Sequence, residues 1–208
     1  MKVSVVVPAY NEEQRIEGVL YPIYNNPIID EIIVVDDGST DKTSQVVRKY
    51  SVKLITLPQN NGKASAVKKG LSLCKGEIIV LLDADLIGLT ANHIVELVMP
   101  ISFAEAEMTI GVFKGGRVIT DMAQKIAPNL SGQRAFNRSL INDILNMDTS
   151  GYSMEVALTK LIREKNISTK KIILSNISHV TKEEKLGLIK GTHWRFLMYK
   201  DIVKYWLS

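Results

Sequence analysis

The first 85 residues carry the pattern that most restricts the fold: short apolar runs, each ending at a polar cluster, alternate with segments of helical periodicity. Val3–Val7 is a β-branched run ending at Pro8, Ile32–Val35 is a second run, Val52–Leu57 a third and Glu77–Leu82 a fourth. Runs this short and this rich in Val and Ile read as strands buried on both faces. Between them, Glu12–Tyr24 carries Ile16, Val19, Leu20 and Ile23 at helical spacing, and Thr43–Lys49 and Lys63–Leu73 read as two further helices. A β-α-β-α order of this kind predicts an α/β protein with a mostly parallel sheet and helices on both faces. In open sheets of that class ligands sit beyond the carboxyl ends of the strands. Three polar clusters fall at such ends, Ala9–Glu12, Asp36–Asp41 and Asp83–Asp85, so they are expected to converge on one crevice.

The second half is less regular. Glu107–Val112 reads as a strand, "KGGR" and "PNLSGQRAF" as loops, Ser153–Glu164 as a helix, Lys171–Ile177 as a strand and Lys185–Leu207 as largely helical. No repeat or low-complexity linker interrupts the chain. Its 208 residues suit one domain with a sizeable core.

Composition removes several function classes. A net charge of +4 suits an anionic small molecule or a membrane surface and is too weak to argue for nucleic acid. Cys74 is the single cysteine, which leaves no intrachain disulfide and no four-cysteine zinc site. The opening residues lack the long apolar core of a secretory signal, and no run approaches 18 apolar residues, so a cytoplasmic protein is expected. No Gly-rich dinucleotide fingerprint follows the first strand, and neither a P-loop nor a nucleophile-elbow motif occurs.

What remains is the acidic strand end "VLLDADLIG", where Asp83 and Asp85 flank Ala84. A solvated turn is the plain alternative, since Asp is common in turns. In extended backbone, residues two apart point to one side, and two carboxylates there hold a hard cation such as Mg²⁺ or Mn²⁺. Such an ion keeps open positions for substrate phosphates and neutralises charge on a departing diphosphate.

With these residues in place the sequence resembles the family 2 glycosyltransferases. "VSVVVPAYNEE", "VVDDGSTD", "NNGKASAVKKG" and "LLDADL" occur in that family's order and spacing, closely over residues 2–86 and more loosely through "SGQRAF", "GYSMEV" and "HVTKEEK". The later motifs are most similar to enzymes that glycosylate phosphorylated acceptors, of the glucosyl- and mannosyl-phosphoglycerate synthase and polyprenyl-phosphate glycosyltransferase types. The resemblance implies the GT-A nucleotide-diphospho-sugar transferase fold, with a Rossmann-like sheet in a single domain over residues 1–208. Residues 1–86 would bind the nucleotide sugar, and 87–208 the acceptor, with a C-terminal helix.

The same resemblance assigns roles. Pro8, Ala9 and Tyr10 would wall the base, with Tyr10 able to stack on it. Glu12 would face the nucleoside or open the first helix, and Asp37 would accept the ring N–H that uracil and guanine share, with Ser39 and Thr40 shaping the turn and capping the next helix. Gly62 and Lys63 would favour the diphosphate at a helix N-terminus. Within the Asp83-Ala84-Asp85 run, Asp83 would touch the ribose or a metal-bound water, and Asp85 would be the direct metal ligand at the catalytic centre. His179 is the candidate third ligand, with Lys182 and Lys185 near phosphate, whereas His93 and His193 have no comparable setting. Ser131, Gly132, Gln133 and Arg134 would meet the acceptor, Arg134 by gripping its phosphate. Asp148 and Glu155 are the only plausible catalytic bases, and the stereochemical outcome stays open.

The implied activity is transfer of a hexose, from UDP-glucose first and GDP-mannose second, with Mg²⁺ or Mn²⁺, to a small or lipid-linked phosphorylated acceptor. The aromatic and basic segment "HWRFLMYKDIVKYWLS" either packs on the domain or makes a membrane-surface or homodimer contact. A sugar nucleotidyltransferase or a non-catalytic nucleotide-sugar-binding module are the alternatives.

Overall fold

A computed structural model describes residues 1–114, 131–149 and 153–179, with His179 described by its backbone alone. The expected elements at "KGGR", at Gly151 and Tyr152, and over Lys185–Leu207 therefore lie outside the described residues, as do Lys182 and His193.

The chain contributes β1 (Val3–Ala9), β2 (Glu31–Asp36), β3 (Lys53–Thr56), β4 (Ile78–Leu81), β6 (Met108–Lys114), β7 (Arg134–Asn137) and β8 (Thr169–Ser175) to one seven-stranded sheet. Their order across the sheet is β3-β2-β1-β4-β7-β6-β8. β1 pairs in parallel with β2 and β4, β2 with β3, and β6 with β8. β7 alone runs the other way, antiparallel to both β4 and β6. Two more strands, β5 (Leu86–Ile87) and β9 (Ser178–His179), make a separate antiparallel ribbon.

The alternation of side chains across a pleat explains why the strands read as unbroken apolar runs. Val5, Val7, Val34 and Val80 enter one core cluster, and Val6, Ile33, Val35 and Ile79 enter the other, on the opposite face. The first cluster is closed by α1 (Ile16–Tyr24) and α4 (Ala91–Ser102), the second by α3 (Lys63–Leu71), α5 (Ile141–Asn146) and α6 (Met154–Lys165), with α2 (Thr43–Val47) completing the first. Cys74 belongs to the second cluster, 4% exposed, with its thiol donating to the Gly70 carbonyl at 3.4 Å. Burial pushes that thiol up to about 12.

Most expected elements recur with shifts at their ends, such as α1 beginning at Ile16 and β8 ending at Ser175. Two differ in kind. α4 has no counterpart among the expected helices, its last turn being obscured by Pro100; His93, three residues into it, accepts the Thr90 N–H through Nδ1 at 3.1 Å and so serves as a cap. The segment read as a loop through "SGQRAF" becomes strand β7 from Arg134 onward, inserted between β4 and β6.

Candidate active site

At the carboxyl ends of β1 and β2, two loops are knitted together by side chains. Asn11, at φ 55°, donates its N–H to Ser39 Oγ at 2.9 Å, and its Oδ1 accepts the Thr40 N–H at 2.9 Å. The Glu12 N–H donates to Thr43 Oγ1 at 2.8 Å, and Asp41 accepts from the Glu13 N–H at 3.1 Å and from the Thr43 N–H at 2.9 Å. These contacts hold Asp41 below the usual carboxylate range: burial works against ionisation, and the Thr43 and Glu13 hydrogen bonds outweigh it. Ser39 and Thr40 therefore shape the turn as expected. They do not cap α2, whose preceding residue is Lys42. Glu12 is buried, its carbonyl accepts the N–H groups of Arg15 and Ile16 at 3.0 Å each, and its carboxylate lies 3.4 Å from Arg15, which favours the helix-opening role. Pro8 and Ala9 are buried at the end of β1, and Tyr10 is 44% exposed beside them.

Asp37 links this corner to the next. Its Oδ1 accepts the Asn61 N–H at 3.0 Å and its Oδ2 the Gly62 N–H at 2.8 Å, and it is 2% exposed. A carboxylate offers about four acceptor positions, so a base N–H would meet a group already fixed by two backbone donors. Gly62 adopts φ 89° immediately before α3, a conformation that side chains disfavour, and so aims the first turn of that helix.

The first residue of α3 is Lys63, and it is drawn into a charged cluster. Its Nζ lies 2.5 Å from Asp83 Oδ1 and 2.5 Å from Glu155 Oε1. The lysine side chain is 38% exposed and each carboxylate 17%. Burial alone would lower the lysine, but Asp83 and then Glu155 raise it well above the ordinary range. Burial likewise opposes ionisation of Glu155, and Lys63 overcomes it, holding the carboxyl down to about 2. In this structure Glu155 is the ion-pair partner of Lys63. Asp148, the other candidate base, sits exposed in the segment after α5.

β4 ends at Leu81, so Asp83 follows the strand and Ala84 and Asp85 form a turn before β5. Ala84 packs into the core while both acids stay half-buried, which still sends the carboxylates away from the interior. The chain then enters β5, where Leu86 pairs with His179. The ribbon thus brings the backbone of His179 opposite the residue after Asp85. Among the described residues no three His, Cys, Asp or Glu side chains form a metal-binding group.

The expected acceptor contacts Ser131, Gln133 and Arg134 lie at the start of β7 and just before it. All three are buried, Arg134 completely. As a strand residue paired with Leu81, Arg134 turns under α6, where Nε donates to the Ser131 carbonyl at 3.0 Å and the guanidinium reaches Met108 Sδ and Thr159 Oγ1 at 3.5 Å each. Burial pulls it down to about 10, with Glu155 partly offsetting that. Gly132 lines a small, mostly apolar pocket together with Lys63, Leu82, Asp83, Met154, Glu155 and Leu158. Sequence reasoning placed Asn11 and Asp41 in polar strand-end clusters without their bridging contacts, and missed the pairing of Lys63 with Glu155, 92 residues apart.

A mostly parallel seven-stranded sheet, with a lysine at a helix N-terminus and acidic residues beyond its strand ends, has the architecture of the GT-A class of nucleotide-sugar transferase fold. The chain belongs to glycosyl transferase family 2: that family's sequence profile matches residues 4–156. It is 41% identical over 100 residues to dolichyl-phosphate β-glucosyltransferase of Mus musculus, a match covering 40% of this chain and 31% of that protein. It is 30% identical over 194 residues to glucosyl-3-phosphoglycerate synthase of Mycobacterium tuberculosis, covering 75% of this chain and 59% of that one. The chain thus spans less than two thirds of the length of either relative. A crystal structure of the latter enzyme with Mn²⁺ and UDP-glucose superposes with a TM-score of 0.70 at 26% identity, over 86% of this chain and 71% of that one. Among the described residues no helix is long and apolar enough to cross a membrane.

Proposed function

We propose that this chain transfers a hexose from a nucleoside diphosphate sugar, with UDP-glucose the first choice and GDP-mannose the second, to a phosphorylated acceptor that is either small or carried on a polyprenyl lipid. The observation that carries the reading is the Lys63–Asp83–Glu155 cluster at the mouth of the crevice, one residue beyond the Gly62 turn and two before Asp85. It rests also on the similarity to a phosphoglycerate glucosyl synthase and to dolichyl-phosphate glucosyltransferases.

In this reading Tyr10 stacks on the base and Asp37 accepts its ring N–H. The N-terminus of α3 and the Lys63 ammonium face the diphosphate. Glu155 holds Lys63 in place and keeps it charged. Asp83 faces the ribose. Asp85, with His179 as a second ligand whose backbone pairs with Leu86 next to it, would hold Mg²⁺ or Mn²⁺. When bound, that ion neutralises the charge of the leaving diphosphate. An ionised phosphate acceptor needs no deprotonation, so the reading does not require a general base. The C-terminal segment, in the same reading, makes a membrane-surface or dimer contact near a cytoplasmic site.

The test is a screen of UDP-glucose and GDP-mannose with Mn²⁺ or Mg²⁺ against 3-phosphoglycerate and a short polyprenyl phosphate, following release of the nucleoside diphosphate. Release that depends on one donor, on metal and on one of these acceptors is expected. Nucleotidyl transfer producing pyrophosphate, or binding without turnover, overturns the reading in favour of a nucleotidyltransferase or a binding module.

A further inference from the structure

Gln133 is fully buried, and its side-chain amide makes two hydrogen bonds to Asp83. Its Oε1 accepts the Asp83 N–H at 3.0 Å, and its Nε2 donates to Asp83 Oδ2 at 2.9 Å. The Gln133 backbone is fixed as well, since its N–H donates to Ser131 Oγ at 3.2 Å and its carbonyl accepts the Gly111 N–H at 2.8 Å. The opposite oxygen of Asp83 faces Lys63 at 2.5 Å. Asp83 is therefore gripped from both sides, by an ammonium and by an amide. Gly132 shows how closely this strand entry approaches: a Cβ there would stand 2.6 Å from Asp83 Oδ2 and 2.9 Å from Lys63 Nζ.

We propose that Gln133 is a positioning residue that fixes the orientation of Asp83, and through it the place of the Lys63 ammonium, for donor binding. The role rests on the donor-site reading above. Only an amide meets both demands of Asp83 at once, one acceptor for its N–H and one donor for its carboxylate. A methionine keeps the length and loses both contacts. A glutamate keeps the acceptor and sets a second carboxylate against the first. Antiparallel pairing supplies the reach: β7 starts where β4 ends, with Arg134 opposite Leu81, so the residue before β7 meets the residues after β4.

The test uses Gln133→Met, Gln133→Glu and the exchange Gln133→Glu with Asp83→Asn, measured by thermal unfolding of the metal-free protein and by calorimetric titration of UDP with Mn²⁺. Gln133→Met is expected to stay folded at the assay temperature and to bind UDP about 10- to 100-fold more weakly, the usual effect of losing hydrogen bonds to a charged group. Gln133→Glu is expected to lower the unfolding temperature by roughly 5 °C. The exchange should regain most of that, because the amide introduced at position 83 donates to the carboxylate introduced at position 133 while its oxygen still faces Lys63. UDP binding should stay weak in the exchange variant, since the charge has moved. If Gln133→Met does not fold, Gln133→Glu carries the binding measurement. Wild-type UDP affinity in the folded variant overturns the positioning role, as does an exchange variant no more stable than Gln133→Glu alone. If the unaltered protein binds neither UDP nor GDP with metal, the donor-site reading fails first and the positioning role falls with it.

Discussion

The two ends of the crevice are built on different principles. At the β1–β2 corner, the side chains of Asn11, Ser39, Asp41 and Thr43 accept from backbone N–H groups of the two loops, that of Thr40 among them. At the β4–β7–α6 corner, Lys63, Asp83 and Glu155 satisfy one another, with Gln133 bracing one carboxylate. Backbone groups held by neutral and carboxylate side chains form a scaffold that a ligand has no reason to disturb. Charges that pair with each other while 17–38% exposed can exchange partners when a diphosphate or a cation arrives. The first corner shapes and the second responds.

The largest effect is expected at the responsive corner. Asp85→Asn should cut transfer by at least about a hundredfold and weaken metal-dependent UDP binding, because a hard cation loses a charged oxygen ligand. The unfolding temperature should hardly move. Full activity with added Mn²⁺ would remove Asp85 from the metal site.

Gly132→Ala places a methyl 2.6 Å from Asp83 Oδ2. It should reduce UDP affinity by about tenfold as Asp83 and Lys63 shift, the scale of a modest misplacement in a preorganised site. Unchanged titration curves would show that this corner yields without cost.

Glu155→Gln tests the charge pairing through pH. Glu155 titrates near 2 in the folded protein against an ordinary 4.5, so its contribution to stability is present above about 4.5 and is lost as the pH falls toward 2. The variant should lose stability near neutral pH and show a shallower decline between those limits in acid-unfolding curves. An acid limb as steep as that of the unaltered protein would dissolve the Lys63–Glu155 pair.

The smallest effect on function belongs to the scaffold. Asp41→Ala should lower stability by about 1–2 kcal/mol through lost hydrogen bonds to the Glu13 and Thr43 N–H groups, with UDP affinity nearly intact. A drop in affinity matching that of the charged corner would erase the contrast between the two.

Legibility in the sequence divides along the same line. β1 to β4 and the helices between them announce themselves by period, because both faces of each strand and one stripe of each helix must be apolar. The polar clusters at the strand ends could be found by position alone. β7 could not: Arg134 and Asn137 bound a four-residue strand of no clear β preference, and only the open edges of β4 and β6 make it one. Its reversal also explains why Arg134 is interior. A basic residue beside a Gly in an apparent loop reads as exposed, whereas pairing with Leu81 fixes its side chain under α6. The Lys63–Glu155 contact spans 92 residues, and no local pattern encodes a separation of that kind.

The buried thiol of Cys74 turns the protein into its own opening gauge. It is the only sulfhydryl in the chain, lies in the α3 face of the core and is pushed up to about 12, so it is almost wholly un-ionised at neutral pH and shielded from alkylating reagents. Alkylation then has to wait for the core to part, and in the regime where reclosing outpaces labelling the rate reports the equilibrium between closed and open forms. One modification per molecule, counted by mass, would follow the cohesion of the α3 layer with and without donor, with no engineered probe.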